Sequence, residues 1–504
     1  TICNLQTCLI GILAGNGNVQ NLNIDSANIT NTGYTGAVAK VMDDNALMRF
    51  IRIDKIFIGG GDCTVSSVGA VAGLVQGSSR LNDIMVANSF VEVIQSSGSG
   101  DVYHCFVGGV AGEVAGFSQL NGITIINSNV IVTGHNSAAA GVAARVSDHG
   151  VIDNVTVTNT HIEARNNRSS AGAGLGVVTQ ASALSNINVT NSTVKVFEIF
   201  SFAGGAAGQL RDDAVVQKAT VSNTRIETMD GYSWLGVGVG WMSGASNFTV
   251  LNSINNTMEV HGEISYSGVG AGAVIGNANF FEIMGINTLI EVDSCGVYVS
   301  WGVGFVERNC IISNVQVIDS KMIIKRVSGV AARAVVGMDD DHPYAQHERV
   351  LNVTVTNSLI EVSGSETVGI CPEGVLGEGV GICDSSSVEY CDGMCLGNAT
   401  GEGVSIRTMN NDIVYVVYDN KVHDGKNTGN KHIYVMKSPH NKCQLNESHF
   451  LINDCGLKDE DFEGHENIKE MPWVGDCSGF VADKTTKHII RHIIRHTTEH
   501  TSEL

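Results

Sequence analysis

The chain has 504 residues, 43% of them hydrophobic, and carries 51 acidic against 30 basic side chains for a formal charge of −21. That balance argues against nucleic acid or an anionic membrane as partner, and no run of 18 or more apolar residues exists to make a spanning helix. The 59 glycines and the runs of Val, Ile and Thr oppose helix over most of the length. The chain opens at Thr1 without a charged and apolar leader, so any signal peptide has been removed or lies upstream.

From about residue 10 to 370 one pattern recurs. Its glycine-rich half reads Val71-Ala72-Gly73-Leu74-Val75, then Val110-Ala111-Gly112-Glu113-Val114, Ala206-Ala207-Gly208-Gln209-Leu210 and Val269-Gly270-Ala271-Gly272-Ala273. Its other half alternates apolar and polar residues about an Asn or Asp, as in Asn154-Val155-Thr156-Val157-Thr158-Asn159-Thr160-His161-Ile162-Glu163. Period-two alternation of β-branched residues is the signal of a pleated strand. The Asn tolerates left-handed backbone angles and marks a turn. In chain order the anchors are Asp25, Asp54, Asn88, Asn127, Asn159, Asn191, Asn223, Asn256, Asn287, Asp319 and Asn357, with steps clustering near 32 residues.

A fixed period of this length means a solenoid. The expected fold is all-β: a right-handed parallel β-helix of about eleven coils over residues 1–370, each coil a strand, a strand, a turn and a strand. Parallel crossovers favour that hand. At about 4.8 Å per coil the rod is on the order of 50 Å long. Equivalent asparagines are expected to stack in a turn column, each amide donating to the next; its members are Asn88, Asn127, Asn159, Asn191, Asn223, Asn287 and Asn357.

The glycine-rich half, seen best in Ala72-Gly73-Leu74-Val75-Gln76-Gly77 and Val110-Ala111-Gly112-Glu113-Val114-Ala115-Gly116, resembles the GLUG-type repeats of bacterial surface and secreted proteins with β-helical passengers. The resemblance implies an extracellular or cell-surface adhesin, and at times the passenger of a larger exported protein. Copies such as Ala331-Ala332-Arg333-Ala334-Val335 depart from it by lacking the glycines.

Between the glycine-rich strand and the next, acids accumulate: Asp43-Asp44, Asp148-His149, Arg211-Asp212-Asp213, Glu307-Arg308 and Asp339-Asp340-Asp341-His342. Their similar offsets from the anchors predict one acidic edge. Solvated turns account for such residues on an acidic rod. Stacked carboxylates from Asp148, Asp212, Asp213, Asp339, Asp340 and Asp341 also raise the expectation of calcium, which takes several oxygen ligands in irregular geometry. A polysaccharide-cleaving site would need a carboxylate pair there. No Ser-His-Asp arrangement, HExxH or phosphate loop is found, and no other cofactor is expected. Thr156, Thr158, Thr190, Thr354 and Thr356 recur on outward strand positions, which suggests an ice-binding face, with Met85, Asn188, Lys218 and Glu282 breaking the array.

Residues 371–484 change character. Cys371, Cys383, Cys391, Cys395, Cys443, Cys455 and Cys477 sit among loops and one strand, Asp412 to Tyr418. In an exported protein such density reads as disulfides; in a reducing compartment the same residues would be zinc ligands. The tail, 485–504, places His488, His492 and His496 four apart with isoleucine pairs between them. On a helix that spacing makes an amphipathic cap for the rod, or a pair of metal ligands. The sequence thus predicts an extracellular adhesin or structural rod without catalysis. Its partner is a cell-surface protein or carbohydrate, with self-association open. A polysaccharide lyase or glycoside hydrolase is the alternative, and ice binding the third.

Overall fold

In a computed structural model of the protein, the β-branched alternation becomes a stack of parallel strands, with no helix among the described residues. Those residues are 1–30, 33–59, 66–94, 105–262, 265–294, 297–307, 310–326, 330–333, 336–339, 349–356, 359–362 and 368–371, together with the strands that fall within 400–446. Since there is no helix there, none is long and apolar enough to cross a membrane.

A central coil shows the plan. It has a first strand Ala138–Ala140, a second Ala143–Val146, a long third Val151–Thr158 and a fourth His161–Arg165. Three strands were expected. The glycine-rich half makes two, because the chain bends at Gly141, where a Cβ would sit 2.0 Å from the carbonyl oxygen of Ala173 in the next coil. The third strand bends as well. Ile152, Val155 and Val157 are buried, an offset of three and then two, and the residue that shifts the phase, Asn154, has φ 53°. Asp83, Gly122 and Asn186 do the same in neighbouring coils. One left-handed residue between two alternating runs turns the strand without unpairing its flanks.

First strands form a ten-stranded sheet, second strands an eleven-stranded sheet, and third and fourth strands a larger one that continues into the C-terminal strands. Inward residues stack on their equivalents: Leu120 on Ile152, Ile152 on Leu184, Leu184 on Val216 and Val216 on Phe248. Phe248 and Phe280, both fully buried, stack at 4.4 Å between ring centroids. Each such buried side chain contributes roughly 1.5–3 kcal/mol of transfer free energy. One contiguous apolar column therefore runs through the rod.

The turn column forms, with its register corrected at three coils. Left-handed backbone falls on Asn88, Asn127, Asn159, Asn191, Asn223, Asn287 and Asp319 as expected, but on Ser26, Lys55 and Asn255 instead of Asp25, Asp54 and Asn256. Asp25 pairs with Asp54 and Asp54 with Ala87, each one residue before the turn. Asn256 is buried and takes the next position. The side-chain ladder is also shorter than expected. Asn88 Nδ2 donates to Asp54 Oδ1 at 2.7 Å, Asn127 Nδ2 to Asn88 Oδ1 at 3.2 Å, and Asn159 Nδ2 to Asn127 Oδ1 at 3.1 Å. From Asn191 onward the column rests on the main chain, with Asn191 N–H donating to Ser222 O at 3.0 Å and Asn223 N–H to Ile254 O at 2.9 Å.

Beyond the last repeat, Thr400–Glu402 and Val404–Thr408 still pair in parallel on the third and fourth strands below them. Val404–Thr408 then pairs antiparallel with Ile413–Asp419, which leads to His432–Lys437 and Cys443–Asn446. The chain thus leaves its solenoid register on a strand of the solenoid's own sheet. Asn357, Asp340, Asp341, His488, His492 and His496 lie outside the described residues, as do five of the seven C-terminal cysteines. Asp339, Cys371 and Cys443 are described in backbone only, each at one end of a strand.

Candidate functional site

The acidic edge lies where the second strand turns into the third. Asp148 and His149 have φ 55° and 72°, and Asp212 and Asp213 have 53° and 67°. In the coil between, Gln180 and Ala181 hold the same conformation, φ 56° and 55°, and bridge the two acidic turns by main-chain bonds, His149 N–H to Gln180 O and Ala181 N–H to Asp212 O. These positions demand left-handed backbone, which Asp, Gly and Asn accept most readily. Asp148 is therefore separated from Asp212 and Asp213 by an uncharged turn. Asp44 stands in the same column several coils away, its carboxylate accepting from Gly15 N–H at 3.3 Å.

The outward face of the fourth strands brings charges closer. Glu163, Lys195, Glu227 and Glu259 are register partners on successive coils. His161 Nε2 lies 3.1 Å and Arg165 Nε 2.7 Å from the Glu163 carboxylate. The hydrogen bond from His161, with that of Arg165, outweighs burial and holds Glu163 down at about 2. Lys195 Nζ reaches Glu227 at 3.2 Å, and Arg225 bridges Glu227 and Glu259. Glu227, Glu259 and His261 are the one group of three metal-ligand types within 4.8 Å among the described residues. Arg225 and Lys195 already neutralise it, so it reads as a charge ladder holding coils in register.

The threonine face is the outward side of the third strands. Thr124, Thr156, Asn188, Thr220, Asn252, Met284 and Gln316 are successive partners there. Lys218, expected near this array, sits opposite Val250 at the strand bend instead. Asn188, Asn252, Met284 and Gln316 interrupt the hydroxyl row.

The remaining face is the angle between first and second strands. Its glycines are steric: a Cβ on Gly240 would lie 2.7 Å from Gly208 O and 2.8 Å from Ala203 N, so the two strands close into a narrow V. At the mouth of that V, Phe202, Trp234, Tyr266 and Tyr298 are register partners on consecutive first strands. Their rings stack with centroids 5.0, 5.9 and 5.2 Å apart and planes within 15° of parallel. From the second strands Trp241 meets Phe202 and Trp234 at 72° and 85°, and Phe305 meets Tyr266 at 56°. Phe200 and Tyr232, both exposed, extend the cluster onto the neighbouring loops. Burial, with the neighbouring Tyr298 and Tyr232, raises the Tyr266 hydroxyl.

Further along the same mouth Glu113 pairs with Arg145 at 3.4 Å and accepts from Ser67 Oγ at 3.4 Å, while Arg145 lies over the Phe106 ring. Burial raises the Glu113 carboxyl, against the pull of Arg145 and Ser67.

The expected site residues thus fall on turns, and the chemically dense face is one that strand alternation does not mark. A signal for it exists in the sequence, since Phe202, Trp234, Tyr266 and Tyr298 recur at the repeat period. Reading it requires laying the coils over one another through their glycine-rich halves. Neither a family model, nor a curated protein, nor a solved structure matches this chain.

Proposed function

We propose that the protein is an exported β-solenoid acting as an adhesin-like binding rod, with no catalytic step. The observation that carries this is the aromatic mouth. Aromatics make up only 6% of the chain, yet eight of them converge on one face of coils 200–305. Trp and Tyr at such density are the side chains on which recognition surfaces concentrate binding energy. The resemblance to GLUG-type repeats favours the cell surface. A protein or a carbohydrate of a cell surface is the partner class. The charge of −21 disfavours anionic ones.

Labelled protein incubated with intact cells tests the reading: saturable retention supports it, and retention that does not saturate contradicts it. The same incubations report on the polysaccharide-cleaving alternative, for which Glu113 is the group best suited, its raised carboxyl beside Arg145 resembling a general acid. Release of new reducing ends or unsaturated sugars, abolished by Glu113→Gln, would replace adhesion with catalysis.

A further inference from the structure

We infer that the aromatic mouth is a docking groove for an uncharged glycan chain running along the rod. This rests on the binding-rod proposal and names its ligand.

The orientation of the rings is the first step. Both faces of Trp234 are covered, by Phe202 on one side and Tyr266 on the other. Trp241, 5.1 Å away and nearly perpendicular, can therefore meet only the edge of Trp234. Since Trp241 also crosses Phe202 at 72°, one face of its indole receives the edges of the stack and the opposite face is turned away from it. Trp241 is half-buried, so this second face is a platform lying along the rod axis.

Hydrogen-bonding demand is the second step. Trp234 Nε1 and Gln209 Oε1 are buried atoms with no partner, and the Gln209 side chain, 3% exposed, is the register neighbour of Trp241. An unmet buried donor and acceptor are costly, and a side-chain turn that opened them to a ligand carrying both kinds of group would remove that cost. Tyr266 and Tyr298 add hydroxyls at the ring edges.

Charge and shape select among occupants. None of the first- and second-strand positions that line this stretch, from Phe202 to Phe305, is charged, in a chain of −21. Anions are repelled by the whole molecule. A peptide added as a strand needs an open sheet edge, and the strands here are paired on both sides. A second copy needs about 800 Å² per partner, and three coil steps of about 4.8 Å by two side chains do not supply it. A glycan offers apolar C–H faces to the indole and hydroxyls that both donate and accept. It would stack on the free Trp241 face, with its hydroxyls left to partner the polar edges of the groove.

The test uses the full chain in affinity electrophoresis and calorimetry against soluble neutral polymers of glucose, xylose, mannose and N-acetylglucosamine, with polygalacturonate as the anionic comparator. At least one neutral polymer is expected to bind. Trp241→Leu, which keeps the site apolar, should weaken it about tenfold or more, as loss of an aromatic anchor does. Tyr298→Phe should weaken it without changing the thermal midpoint. Phe57→Ala, on an exposed ring remote from the mouth, should leave binding unchanged. Failure of every neutral polymer to bind, stronger binding of polygalacturonate, or full affinity in Trp241→Leu would overturn the inference. Cell retention that persists through such a failure would leave the binding-rod proposal standing on another ligand, and its loss in the wild-type chain would sink both.

Discussion

At the scale of single residues the turn column separates two contributions that the same amino acid makes. Asn159 supplies a left-handed residue, φ 51°, and an amide that reaches Asn127 at 3.1 Å; Asn191 supplies the left-handed residue, φ 50°, with its inter-coil bond made by the main chain. A left-handed conformation costs a β-carbon residue roughly 1–2 kcal/mol more than glycine. Asn191→Ala should therefore lower stability by about 1 kcal/mol and Asn191→Gly by less. Asn159→Ala should cost about 1 kcal/mol beyond Asn191→Ala, through the lost side-chain bond. Urea midpoints of the three variants decide it, and equal losses for the two alanines would mean the exposed amide ladder contributes nothing. The residue after each anchor matters more than alternation indicates. Ser192 is buried, its Oγ accepting from Thr160 N–H at 3.3 Å and donating to Thr190 O at 3.0 Å. Ser192→Ala leaves that N–H without a partner and should cost about 1–3 kcal/mol, a larger loss than Asn191→Ala in the same assay.

Among elements, the fourth-strand ladder makes stability depend on pH in a stated direction. Glu163 is held at about 2 against an ordinary 4.5. A depressed carboxyl stabilises the fold fully above its unfolded value, and the contribution fades as pH falls from 4.5 toward 2. Thermal midpoints measured across that window should fall for the wild type and fall less for Glu163→Gln; parallel curves would assign the acid sensitivity elsewhere. The elements also show what a sequence conceals. Strand, turn and period are local and were legible from Val, Thr and Asn. Which of two adjacent polar residues adopts left-handed backbone is set by register with the coil below, so Asn255 and Asn256 could not be told apart by composition, and Asp54 drew attention away from Lys55. The split of the glycine-rich half into two strands, and the V they form around Gly240, depend on a close approach between coils that only the stacked backbone reveals.

For the whole molecule, the period predicted the solenoid and the composition predicted an acidic surface, but neither located the dense face. The acids that stood out, Asp148, Asp212 and Asp213, occupy turns whose geometry accounts for them, with the Gln180 coil between. Adding calcium or EDTA should accordingly leave the thermal midpoint unmoved, whereas a rise with calcium by mass action would show that these turns gather a cation after all. The four aromatic partners Phe202, Trp234, Tyr266 and Tyr298 gain meaning only as a column, which requires the coils to be in register from one end of the stripe to the other. That register is the central claim, and a distance measures it directly. Nitroxides placed through unnatural side chains at positions 88 and 287, anchors six coils apart along the turn column, should give a narrow distribution centred near ~29 Å by pulsed electron spin resonance, six steps of about 4.8 Å. A broad distribution, or a centre displaced by ten ångströms or more, would contradict the rod and everything built on its coil spacing.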